Sequence, residues 1–301
     1  MSRNPILTDK AFEEAAGGGV ATAGGPSPAE EWQNARSMPG QVAAAAPAAD
    51  AGLATGGRFT PAGPGTHRMT MGGVAAATFI MFAVLLAAAF GGWQTVTVTP
   101  AGVNTEGQQV FNATFGSPLL MFGAMFVGVG LAFLTAFKPK LARFTSLAYA
   151  ACQGFVLGAI SAYYGALWQG IVAQAVLATF GVFLVMLVLY GLRVLRATPR
   201  FVKGVIAATF GIGFMYFGIL ILNIFGVADG FWTSGSPLGI IISVVVVCVA
   251  ALNLILDFDF IERGTQMGLP RYMDWYAGFG LMVTLIWLYL EMLRLLARLR
   301  Q

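Results

Sequence analysis

The chain has 301 residues, of which 57% are hydrophobic and only 10% charged, and its mean hydropathy is +0.76. That balance excludes a soluble domain and places the chain among polytopic membrane proteins, whose backbone polar groups are satisfied inside helices. The net charge of +4, with a pI near 9.2, comes from basic residues in short segments between apolar runs. This is an orientation signal rather than a nucleic-acid surface.

Residues 1–66 are rich in Ala, Gly and Pro and poor in large apolar side chains. Such a stretch cannot bury enough surface to offset its ordering entropy, so it is expected to be a disordered tail ahead of a seven-helix domain over 67–301. The tail lacks an apolar signal core, and no cleavable signal is expected. His67, the sole histidine, stands at the junction without a partner for chemistry.

Seven apolar runs follow, at about Met71–Gly91, Leu119–Phe137, Phe144–Leu167, Gln169–Leu192, Val205–Phe225, Leu238–Leu256 and Trp275–Leu290. Most reach the roughly 20 residues that a spanning helix requires. The last is about 16 residues, or roughly 24 Å of helix, and spans only with snorkelling or local thinning. The stretches between runs, Trp93–Ser117, Ala166–Trp168 and Gly226–Pro237, read as loops without a basic residue. Arg68, Lys138, Lys140, Arg143, Arg193, Arg196, Arg200 and Lys203 lie on the opposite side of the alternation. The charge rule therefore places the tail in the cytoplasm of a multi-pass cell-membrane protein. Arg294, Arg298 and Arg300 oppose that rule at the far end of the seventh run. Either the run spans fully, which is the expectation here, or it dips in and returns.

The third run carries small residues at every fourth position, including Ala150, Gly154, Gly158 and Ala162. This stripe predicts close helix packing at the centre of a bundle. Cys152 and Cys248 lie within apolar runs and read as packing residues. At the end of the sixth run stand Asp257, Asp259 and Glu262, in a region otherwise almost empty of acids. Charges there can simply be solvated at the bilayer surface, or they can be used.

Several enzyme classes fail on residue supply. One histidine is too few for a zinc protease, and it offers no base to a serine protease in the membrane. None of the four lysines, Lys10, Lys138, Lys140 and Lys203, lies in the last run, as a retinal pigment would need. Asp257 and Asp259 are about 200° apart on one helix and do not form an aspartyl-protease pair together. No resident cofactor is expected, and the chain reads as a non-enzyme.

The segments GFVLGAIS (154–161), LNLILDFDFIERG (252–264) and WYAGFGLMVTLIWLYLEMLRLL (275–296) resemble the Bax inhibitor-1/YccA family. RMTMGGV (68–74) is similar to the start of the first span in its bacterial, particularly actinobacterial, branch. The resemblance covers about residues 68–297 and implies an all-α polytopic fold with the last of seven helices surrounded by the other six. It further implies a pH-sensitive calcium leak in which carboxylates of the sixth and seventh helices form a coupled sensor. Asp257 matches the sixth-helix aspartate, and the seventh-helix aspartate falls at Thr284, where this sequence departs from the pattern. Glu291 is two turns further along on roughly the same face. Asp259 and Glu262, at i and i+3, face together and could supply the missing negative charge.

Two carboxylates in a low-dielectric setting cannot both ionise cheaply, so they share a proton whose loss biases a helix arrangement. Calcium takes about six to eight oxygens, so a site at Asp257 and Asp259 would be weak and partly hydrated. The expected partners are the lipid bilayer and calcium or protons. The rival reading is a non-transporting regulator that binds a membrane protease or stress-response partner through the tail and the loop after Glu262.

Overall fold

A thirty-residue helix, Pro237–Gln266, and a twenty-eight-residue helix, Tyr272–Leu299, are joined by a tight turn at Gly268, whose φ is +63°. They are α6 and α7 of the computed structural model, which describes residues 68–103, 109–225 and 237–300. Before them come α1 (Met71–Trp93), a hairpin of β1 (Val96–Val103) and β2 (Gln109–Phe115), α2 (Pro118–Phe137) and α3 (Ala142–Leu167). Then follow α4 (Ile171–Gly191) and α5 (Pro199–Ile224). The seven helices are long and apolar enough to cross a membrane. The tail expected over 1–66, His67 and residues 226–236 of the expected loop Gly226–Pro237 lie outside the described residues.

Local signals set most boundaries. Pro118 and Pro199 open α2 and α5 at positions where a missing N–H costs nothing. Thr70 and Thr198 cap α1 and α5 by accepting from the Gly73 and Phe201 amides. Gly170, with φ +76°, starts α4 after a three-residue break.

Three expectations change. Trp93–Ser117 is not a loop throughout but carries an antiparallel hairpin, with Val96 opposite Phe115 and a bulge between Pro100 and Gly102. Its Val-Thr alternation is the period-two signal of a strand, and Thr97 and Thr114 hydroxyls meet across it at 2.8 Å. The sixth apolar run stops at Leu256, but its helix, on which Asp257, Asp259 and Glu262 were expected, extends to Gln266. The seventh is not a short run ending at Leu290. It continues through Glu291, Arg294 and Arg298 as one unbroken helix without a re-entrant turn, because those polar side chains find partners in the protein.

α7 is the central helix. It packs on α1, α3, α4 and α6, and polar contacts tie it to α5. α2 packs chiefly on α3, so the implied ring of six around α7 is closed less evenly than expected. The core is built on α6–α7 residues such as Leu254, Ile255, Leu281, Leu288 and Leu293, with a second cluster around Met81, Ala150 and Met282.

The small-residue stripe packs where α3 meets α1. A Cβ at Gly154 would fall on the Leu85 carbonyl, one at Gly158 on the Ala89 carbonyl, and one at Gly92 on the Phe155 carbonyl. The two backbones are therefore in contact, as small-residue packing requires where lipid supplies no hydrophobic drive. Gly158→Ala should destabilise the bundle by about 1–3 kcal/mol, the range of overpacking changes. Gly123→Ala on α2, where nothing lies within 4 Å, should be neutral or slightly stabilising. Melting of the purified variants in detergent separates the two outcomes, and equal melting would contradict the α1–α3 contact.

Candidate functional site

The residues singled out by sequence divide between two ends of the bundle. At one end lie Arg68, the α2–α3 turn, the α4–α5 connection and the α6–α7 turn. At the other lie the hairpin and the C-terminus of α7. Asp257 is twenty residues from Pro237, about 30 Å along α6 at 1.5 Å per residue, which equals the thickness of a bilayer core. A further nine residues of α6 follow it, so its carboxyl sits deeper than the helix end.

The Asp257 carboxyl faces α7. Thr284 is its side-chain neighbour, and a Cβ placed on Gly280 would lie 3.6 Å from Oδ1. Thr284 is 8% exposed and donates its hydroxyl to the Gly280 carbonyl at 3.2 Å. Asp257 Oδ2 is buried and has no hydrogen-bond partner among the described residues. A carboxyl oxygen left in this state is costly in a protein interior. The structure thus brings together Asp257 and Thr284, the pair that the motif alignment selects.

Asp259 and Glu262 belong to another face. Asp259 pairs with Arg263 at 2.8 Å, and Arg263 also donates to the Ala197 carbonyl at 3.2 Å. Glu262 accepts from the Tyr190 hydroxyl of α4 and from Gln266 at 3.1 Å. Both acids neighbour Tyr190, as i and i+3 spacing requires, but Glu262 is about 140° around the helix from Asp257. Asp257 and Asp259, expected to share a weak calcium site, are directed at α7 and α4 respectively. Among the described residues no group of three or more metal-ligating side chains occurs.

Glu291 lies on α7 toward the hairpin end and is 1% exposed. Arg294 Nη1 bonds both its oxygens, at 2.8 and 2.9 Å, and Tyr216 of α5 donates to it at 2.8 Å. Arg294 also stacks over the Tyr216 ring at 5.0 Å. Arg298 donates to Ser243 and to the Gly239 carbonyl at the start of α6, and Arg300 to Gln169 and Gln174 at the start of α4. The three arginines that oppose the charge rule are thus bound to protein acceptors, a local reward that a loop-charge count does not include.

Sequence reasoning missed Asp274. It is 4% exposed in the first turn of α7, and its Oδ1 accepts from the Thr70 amide at 3.0 Å. One carboxylate therefore lies at the N-termini of two helices, where the backbone dipoles favour negative charge. Met69 N donates to the Leu269 carbonyl at 2.6 Å, and Arg68 bridges Pro270, so the start of α1 is held on the α6–α7 turn. An acid in a helix first turn was a visible signal for α7, whereas its partner 204 positions earlier was not. Glu291 and Arg294 were readable as an i, i+3 pair, but Tyr216 was not.

Glu291→Leu should cost about 2 kcal/mol. That is below the roughly 3–5 kcal/mol of a fully buried pair because Arg294 keeps 36% of its side chain exposed. Adding Arg294→Leu should recover part of the loss, since both ions are then gone. Chemical or thermal unfolding of the two single variants and the double variant tests this, and strictly additive losses would show that the pair does not couple.

A family model described as Bax inhibitor 1 like matches residues 4–301. The match begins well before the first span, so it takes in the N-terminal segment that the motif resemblance left out. None of the curated proteins matches the chain. With seven apolar helices, a central α7, the DFDFIE segment on α6 and a family match over nearly its full length, the chain belongs to the Bax inhibitor 1 like family.

Proposed function

We infer that this protein is a pH-sensitive cation leak, conducting calcium or protons, in which Asp257 is the titrating group. The observation that carries the reading is the buried, unpartnered Oδ2 of Asp257 at the α6–α7 contact, facing Thr284 and Gly280. Thr284 lies against the carboxyl from α7, while Oδ2 has no hydrogen-bond partner among the described residues. A change of one unit of charge there acts directly on the packing of the central helix. A single carboxyl provides few oxygens, so a passing calcium ion keeps most of its water, which suits a leak better than tight binding. The chain performs no catalysis in this reading, and no resident cofactor takes part.

Asp257→Asn should flatten the dependence of calcium flux on pH in liposomes while leaving the bundle folded. Wild-type behaviour of Asp257→Asn together with loss of the response in Glu262→Gln would transfer the role to the other face of α6. Thr284→Asp places a second carboxyl against Asp257, and the shared proton should displace the flux midpoint by about one pH unit. That displacement should vanish in the Asp257→Asn background, because coupling needs both groups.

A second reading has its own observation. The start of α1 is pinned to the α6–α7 turn by Met69–Leu269 and Thr70–Asp274, so Arg68 and Met69 lie beside the charged turn. In that reading the N-terminal segment and the turn form a cytoplasmic docking surface for a membrane protease or stress-response partner, without transport. Deleting residues 1–66 distinguishes the two, since a leak should retain its flux and a docking protein should lose partner binding. Reporter fusions at the two termini should place the N-terminus in the cytoplasm and the C-terminus outside, and two cytoplasmic signals would contradict this topology.

A further inference from the structure

The geometry points to a lateral lipid site, in which one acyl chain enters between α1 and α4 and its headgroup, without net charge, rests beside Trp93 and Gln94. The cavity behind this statement has a volume of about 480 Å³, within the roughly 300–1,000 Å³ range of ligand pockets. Its walls are α1 and α4, which do not pack extensively on each other, and its floor is α3 and α7. Leu86, Phe90 and Phe180 at its rim are 65%, 70% and 51% exposed on helices apolar enough to span a membrane. The opening therefore faces the hydrocarbon of the bilayer, and the material that reaches it there is an acyl chain.

The floor has one polar feature, the Ser161 and Tyr289 hydroxyls, and these meet each other at 2.6 Å. Thr179, also on the wall, donates to the Ala175 carbonyl. With its hydroxyls occupied, the cavity offers a hydrocarbon chain a surface without competing demands. At the Trp93 end it adjoins a second, more polar cavity of about 310 Å³ beneath β1, lined by Trp93, Gln94, Ala162 and Gly165. Trp93 borders both and stands where α1 ends and the hairpin begins. An indole at such a boundary is suited to the interface between chain and headgroup. Among the described residues lining the two cavities none is charged, so the site lacks the Lys or Arg that selects an anionic headgroup.

The test is native mass spectrometry of the full chain in detergent, with dioleoyl phosphatidylcholine and dioleoyl phosphatidylglycerol added as equimolar probes. Wild type should retain one phosphatidylcholine through activation that strips the other lipids. Val176→Trp and Leu86→Trp, which fill the mouth from its two walls, should each lower that retained fraction tenfold or more. Leu220→Trp on the exposed face of α5 should leave it unchanged. Should the tryptophan variants not fold, the smaller Val176→Phe should lower it at least threefold. Equal retention in the filling variants, preferential retention of phosphatidylglycerol, or no retained phosphatidylcholine on wild type would each overturn the proposal.

Discussion

A polar side chain on a helix in the middle of a membrane bundle finds its partners in the protein, because lipid offers none. α7 carries Asp274, Thr284, Glu291, Arg294 and Arg298 through that environment, and the surrounding helices are arranged around its demands. α1 presents the Thr70 amide to Asp274, α5 presents Tyr216 to Glu291, and α6 presents Ser243 and the Gly239 carbonyl to Arg298. These contacts specify the rotation and depth of α7, which apolar packing alone would leave loosely defined. Against this background of satisfied groups, the unpartnered oxygen of Asp257 stands out as a position where the rule is broken.

Close approach of backbones makes the arrangement possible. α1 and α3 touch at Gly92, Gly154 and Gly158, so they form a firm wall against which α7 lies. Where α1 and α4 are not drawn together in this way, a cavity open to the bilayer remains. One small-residue stripe therefore shapes both the close α1–α3 contact and the edge of this cavity, since Gly158 belongs to each.

Charge placement shows a similar division between long-range and local forces. Basic residues from Arg68 to Arg271 gather at one end of the bundle, as the alternation of loops requires. The three arginines at the opposite end are retained by hydrogen bonds to Glu291, Tyr216, Ser243, Gln169 and Gln174 and to the Gly239 carbonyl. A count of loop charges weighs residues by number, whereas the structure weighs them by the acceptors they reach.

The amino-acid sequence by itself determined the number of helices, the membrane class and the close packing of α3. These follow from composition and periodicity, whereas the pairing of Asp257 with position 284 came only from the family resemblance. The sequence did not disclose the hairpin or the true lengths of α6 and α7. A run of apolar residues stops at the first charge, but a helix continues wherever that charge is satisfied. Tertiary structure alone decided that Glu291 meets Tyr216 seventy-five positions away, that Asp274 accepts from the Thr70 amide at the start of α1, and that Asp259 and Glu262 turn toward Tyr190 rather than Asp257. The physical reason is the same in each case. A buried polar group is stabilised by its partner, and in a helical bundle that partner comes from another helix whose position no local stretch of sequence contains.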